Sequence, residues 1–156
     1  MPWPSTAQHG DPMSRPTAYS RNAFSLFRPL QTRWADNDVY GHMNNVVHYG
    51  LFDTAINGWL LERGLLDFKS GSTIGLVVET GCHYFAEMAF PDRVDAGIGV
   101  ERIGTSSVTY RIALFRNDET SASAQGRFVH VYVDRRTRRP KPLDGTWRAV
   151  LEEARL

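Results

Sequence analysis

The chain has 156 residues and a formal net charge of +1, from 18 Lys and Arg against 17 Asp and Glu. That length fits one domain, and so small a charge gives no strong pull toward nucleic acid or a membrane surface. The lone cysteine, Cys82, excludes an internal disulfide, which suits a reducing compartment.

No segment approaches the ~20 continuous apolar residues of a membrane span. The N-terminus lacks the basic-then-apolar order of a secretory signal. These features predict a soluble, cytoplasmic protein with no nucleic-acid and no membrane partner. A hydrophobic fraction of 42% is enough for a core, and 12% aromatics are compatible with oligomerisation.

In chain order, residues 1–21 carry Pro2, Pro4, Pro12 and Pro16 with no apolar period. They read as a flexible leader, leaving residues 22–156 as a single domain. A strand is predicted over residues 24–35, where Pro29 suits an edge or a bulge. A turn rich in Asp, Asn and Gly follows over residues 36–41. A helix is predicted from residue 44 or 45 to 63, with Tyr49, Phe52, Ala55, Ile56, Trp59 and Leu60 on one broad face. Few of its positions are polar, so it reads as largely buried. An asparagine suits its N-cap, and Gly64 suits the position past its end.

Beyond residue 74 the pattern changes to strands over 74–88, 93–103, 107–116 and 122–134. Phe90-Pro91-Asp92, Gly104-Thr105 and Asn117-Asp118-Glu119 mark the turns between them. No helix intervenes, so an antiparallel meander is expected. Residues 146–154 suit a short terminal helix. The fold class expected is α+β, one helix buried by a curved antiparallel sheet.

Five polar groups fall between the first strand and the helix: Asp36, Asp38, His42, Asn44 and Asn45. A helix N-terminus presents unpaired N–H groups and partial positive charge, which stabilise an oxyanion. A nearby carboxylate acts as nucleophile or as general base. Together these suffice for acyl transfer from a thioester. Two other readings of the same residues stay open: a simple turn with a helix cap, and a metal site from Asp36, Asp38, His42 and His48.

Other groups read more simply. Glu79 and His83 share a strand face, either solvated or facing a neighbouring subunit's site. Cys82 lies on the opposite face without a base to activate it. The basic run Arg135, Arg136, Arg138, Arg139 and Lys141 is either a solvated strand exit or a grip for phosphates.

The run Thr32-Arg33-Trp34-Ala35-Asp36-Asn37-Asp38-Val39-Tyr40-Gly41-His42-Met43-Asn44-Asn45 resembles the signature of the 4-hydroxybenzoyl-CoA thioesterase family. The likeness extends through Phe90-Pro91-Asp92-Arg93-Val94, Gly104-Thr105-Ser106-Ser107-Val108 and Val131-Tyr132-Val133-Asp134, roughly residues 24–142. It implies the hotdog fold, a sheet wrapped around a central helix. It also implies an acyl-CoA thioesterase with Asp38 as the catalytic carboxylate and Asp36 organising the loop. The N–H near Asn45 would bind the thioester oxygen, and His42 would orient Asp38 or line the pocket. Asn44 and Tyr49 join the expected substrate contacts. In the aryl-CoA enzyme a basic cluster near the hairpin at 104–106 contacts the nucleotide. Here only Arg102 is near, and Ser107 would approach the pantetheine arm. The resemblance implies an acyl-CoA or acyl carrier protein thioester as substrate, a homo-oligomer (dimer or tetramer), no cofactor and no metal. The competing activities are a hotdog dehydratase or hydratase and a non-catalytic acyl-thioester binding protein.

Overall fold

The computed structural model describes residues 16–156. A 3-10 turn, Arg21–Ala23, precedes β1 (Leu26–Gln31), and a second, Trp34–Asp36, precedes the long helix α1 (Asn45–Glu62). Then come β2 (Thr73–Tyr84), β3 (Arg93–Ile103), β4 (Ser107–Arg116), β5 (Ala124–Asp134) and helix α2 (Gly145–Glu152). The strands make one antiparallel sheet in the order β1-β3-β4-β5-β2. This is the α+β hotdog arrangement expected from the sequence.

Local chemistry sets the element ends. β1 stops at Gln31, short of residue 35, because the Asp36 carboxylate takes the Arg33 N–H and closes the turn at Trp34–Asp36. β2 stops at Tyr84, short of residue 88, because the Phe85 and Ala86 N–H groups both go to the Ser123 carbonyl. The Asn44 side chain accepts the Val46 N–H at 3.0 Å and caps α1. Gly64, at φ +71°, turns the chain out of the helix.

The expected meander holds only for β3, β4 and β5. β2 pairs with β5 instead of β3, so residues 85–92 cross from the β2 edge past β5 and β4 to the interior strand β3. The crossover is pinned by the bonds to Ser123 at its start and by the Met43 N–H on the Met88 carbonyl further along. It ends at a cis Phe90–Pro91 peptide before β3 begins.

The helix is buried on one side only, less than the largely buried element expected from the sequence. Leu51, Phe52, Ala55, Ile56, Trp59 and Leu60 pack into the core with Ile98, Ile112, Leu114 and Phe128. At Gly126 a Cβ atom would lie 3.0 Å from the Phe52 ring, so the glycine lets helix and sheet approach. The other face, with Val46, Gly50, Asp53 and Thr54, is exposed. β2 also leaves apolar groups uncovered: Leu76, Val77 and Val78 are 39%, 47% and 61% exposed on a strand whose outer edge has no partner among the described residues.

The leader expected over residues 1–21 lies mostly outside the described residues. Its last part is tied to the sheet. The Tyr19 N–H reaches Gln125 at 2.8 Å, and Arg21 bonds Asp95 at 2.7 Å and the Asn117 and Glu119 carbonyls. Among the described residues no helix is long and apolar enough to cross a membrane.

Candidate active site

The acidic loop is closed on Asp38. Its N–H donates to the His42 carbonyl at 2.7 Å, and its carbonyl accepts from Gly41, whose φ of +81° suits glycine. One carboxylate oxygen, Oδ1, accepts the Tyr40 N–H at 2.9 Å and the His42 N–H at 3.3 Å. The other, Oδ2, has no hydrogen-bond partner among the described residues. Asp38 is half-buried. The carboxylate is therefore oriented by one oxygen and open at the other.

Asp36 differs in every respect. It is buried at 1% exposure and saturated by the Arg33 N–H at 2.8 Å and the Arg33 guanidinium at 2.8 and 3.0 Å. Its carbonyl accepts the Asn44 N–H at 2.9 Å. This joins the turn before the loop to the helix cap after it. The loop is also stapled sideways, because Asn37 Oδ1 accepts the Phe90 N–H at 2.9 Å.

Beside the loop is a cleft of about 260 Å³ lined by His42, Asn45, His48, Tyr84, Glu87 and Met88. His42 Nε2 meets Glu87 Oε2 at 2.9 Å. The Tyr84 hydroxyl donates to the Asn45 carbonyl at 3.3 Å, and its ring stands edge-on to His48 at 4.9 Å. His48 Nδ1 lies 3.3 Å from the Asn44 carbonyl. Burial lowers the His48 pKa against the opposing pull of the Asn44 and Asn45 backbone bonds. Burial likewise raises the Tyr84 phenol and the Cys82 thiol, so both stay protonated at neutral pH. Of the first-turn N–H groups of α1, Val46 goes to the Asn44 side chain and Val47 to the Asn44 carbonyl. The Asn45 N–H keeps no acceptor among the described residues and carries the partial positive charge of the helix start.

The structure thus gathers Asp38, His42, Asn44 and Asn45, with Asp36 beneath them. Tyr49, half-buried, sits further along α1 between Phe52 at 6.1 Å and Phe128 at 6.0 Å. Arg102 and Ser107 are not part of this group within one chain. Ser107 faces Val131, whereas Tyr84 faces Ala124 on the same strand. At ~3.4 Å per residue these positions on β5 are roughly 24 Å apart. Glu79 pairs with Arg127 on the sheet surface. Among the described residues no three His, Cys, Asp or Glu side chains converge as a metal set, and His48 points its Nδ1 at a carbonyl. Sequence reasoning missed Glu87 and Tyr84. Both fell inside a stretch read only as strand, and nothing local in the sequence marks them.

The helix start and the acidic loop thus sit together at one end of a hotdog sheet. The chain belongs to the thioesterase-like superfamily, which matches residues 32–152, and it is a thioester hydrolase. It is similar to the PA5185 protein of Pseudomonas aeruginosa PAO1: 48% identity, 90% of this chain and 97% of that one covered, TM-score 0.86. A thioesterase from Thermus thermophilus, solved with coenzyme A and Zn, is 26% identical over 84% of this chain and 95% of that one, TM-score 0.69. The protein YsmA of Bacillus subtilis strain 168 is 24% identical over 115 residues, 74% of this chain and 77% of that one.

Proposed function

We propose that the protein hydrolyses acyl-CoA thioesters to the free acid and coenzyme A. The observation that carries this is the Asp38 carboxylate, held at Oδ1 by two backbone N–H groups and without a hydrogen-bond partner at Oδ2 among the described residues, in the loop that leads into α1. The thioester carbonyl points at the Asn45 N–H, where the helix start offsets the developing oxyanion. Asp38 attacks the carbonyl to give an acyl anhydride, or it takes a proton from the attacking water. An acyl carrier protein thioester presents the same reacting atoms. The coenzyme A bound by the Thermus relative favours the free nucleotide thioester.

The working unit is a homo-oligomer built on the outer edge of β2. An exposed apolar edge strand invites pairing, and Leu76, Val77 and Val78 sit near its middle. Antiparallel pairing of two β2 strands about that point lays the Thr73 end of one copy beside Tyr84 of the other. That brings the second copy's hairpin, with Arg102 and Ser107, to the cleft and gives both a place along the pantetheine arm. A single free thiol at Cys82 suits the reducing cytoplasm.

The test is thiol release from acyl-CoAs of increasing chain length by wild type and Asp38→Asn, with sedimentation of both. The expected result is release by wild type only, from oligomers of equal size. Undiminished turnover in Asp38→Asn overturns the assignment. Binding without release in wild type would instead favour an acyl-thioester binding protein.

A further inference from the structure

Glu87 is the acidic side chain of the cleft, and the reading above gives it no task. It comes from the crossover segment, far along the chain from the loop, yet its Oε2 lies 2.9 Å from His42 Nε2. The backbone around it is fixed. Arg116 Nη1 donates to the Glu87 carbonyl at 3.1 Å, and Arg116 is itself held by Glu119 at 2.6 and 3.0 Å. Ser123 holds the two residues before Glu87, and Met43 holds Met88 after it. The pair adds little to the fold, since the His42 and Glu87 side chains are 45% and 70% exposed and solvent screens such pairs. The loop is already closed by backbone bonds. Asp38, His48, Tyr84 and Arg116 are the other titratable or charged groups nearby, and none of them bonds the His42 ring.

We infer that Glu87 positions His42 as the base that activates the hydrolytic water, leaving Asp38 as the nucleophile; this rests on the thioester-hydrolysis reading above. Glu87 accepts the Nε2–H and so fixes the tautomer with its lone pair on Nδ1. An acceptor on one ring nitrogen orients the other in this way in carboxylate–imidazole pairs generally. In the first step an Asp38 oxygen bonds to the thioester carbonyl carbon and the C–S bond breaks, giving an acyl-Asp38 anhydride and a thiolate. In the second step His42 Nδ1 takes a proton from water as the water oxygen bonds to the acyl carbon. The C–O bond to Asp38 breaks and the free carboxylate returns. The imidazolium then passes its proton to the thiolate. The sum is thioester plus water to acid plus thiol.

The experiment follows thiol release and intact protein mass in wild type, His42→Ala, Glu87→Gln and Glu87→Ala. Loss of the base is expected to lower kcat roughly 100-fold, with added imidazole restoring part of it. Glu87→Ala is expected to lower kcat about tenfold, and Glu87→Gln, which keeps an acceptor for Nε2–H, by less. In all three the second step becomes limiting. A burst of one thiol per site then precedes the slow phase, the acyl mass appears on the protein, and the apparent KM falls with kcat. Wild-type kcat in Glu87→Ala overturns the inference. So does a lowered kcat with neither burst nor acyl mass. A failure of the thioesterase reading looks different, because wild type itself then releases no thiol or Asp38→Asn releases it normally.

Discussion

The cleft at the start of α1 and the core between β4 and β5 use the same side-chain types under opposite conditions. In the core, the Tyr110 and Tyr132 hydroxyls meet at 2.8 Å, and Tyr132 lies 3.3 Å from His130 Nδ1. All three residues are buried. Desolvation drives His130 down to about 4 and both phenols up, so every group stays neutral. At the cleft and the loop beside it, His42 and Asp38 are half-exposed and their partners come from loops and a crossover. Burial that freezes a proton makes a good structural element and a poor acid or base near neutral pH. The half-exposed set is therefore the one suited to proton transfer, whereas the core set is sealed, with His130 Nε2 buried and without a hydrogen-bond partner among the described residues.

The largest effect that sharpens this contrast is Asp38→Asn. Turnover is expected to fall about 1000-fold, on the scale of losing a nucleophile or its base elsewhere. The amide oxygen still accepts the Tyr40 and His42 N–H groups, so the urea midpoint is expected to stay put. A drop in both together would mean that Asp38 serves the loop and not the reaction.

The next effect is in the core and is read by pH. The folded His130 value of about 4 lies below the ordinary 6.5, so as pH falls the unfolded chain takes the proton first. Its contribution to stability is whole above about pH 6.5, declines toward pH 4 and is flat below. The total is about 3 kcal/mol. His48, also lowered, acts in the same direction. Urea unfolding at pH 7 and about pH 4.5 should show a steeper acid loss in wild type than in His130→Leu. Equal slopes would mean that the buried imidazole is not held neutral.

Much of both regions was readable in advance, for different reasons. The bounds of β3 and β4 follow from turn residues that act locally: Asp92 and Asn117 at one end, Gly104 at the other. The acidic loop stood out because five polar groups crowd between a strand and a helix. What was hidden depends on distance along the chain. Alternation in residues 73–84 tells which side chains share a face and is silent on whether β3 or β5 lies alongside. Glu87 gains meaning only from His42, and Tyr84 only from the Asn45 carbonyl it meets. Arg102 and Ser107 differ in the opposite way. The resemblance associates them with the ligand, whereas a single chain holds them at the far end of the sheet.

A smaller effect tests the core set alone. Tyr132→Phe removes the hydroxyl that both Tyr110 and His130 Nδ1 meet. Leaving buried polar groups unpaired costs about 2 kcal/mol, expected as a lower urea midpoint at pH 7. Turnover per folded molecule should be unchanged, since neither group reaches the cleft. A loss of turnover without a loss of stability would erase the division between the two regions.

The smallest effect lies where the two regions join. Asn44 caps α1 through its side chain, while its backbone N–H binds Asp36 and its carbonyl faces His48. Asn44→Ala keeps both backbone contacts and removes only the acceptor for the Val46 N–H. A lost cap costs about 1 kcal/mol, small beside the core that the rest of α1 buries. If the helix start also binds the thioester oxygen, frayed N–H groups are less well aimed, and kcat should fall several-fold with KM little changed. The Asn45 donor is shared between fold and reaction only if both numbers move. A lower stability with untouched kcat would place the oxyanion contact elsewhere in the loop.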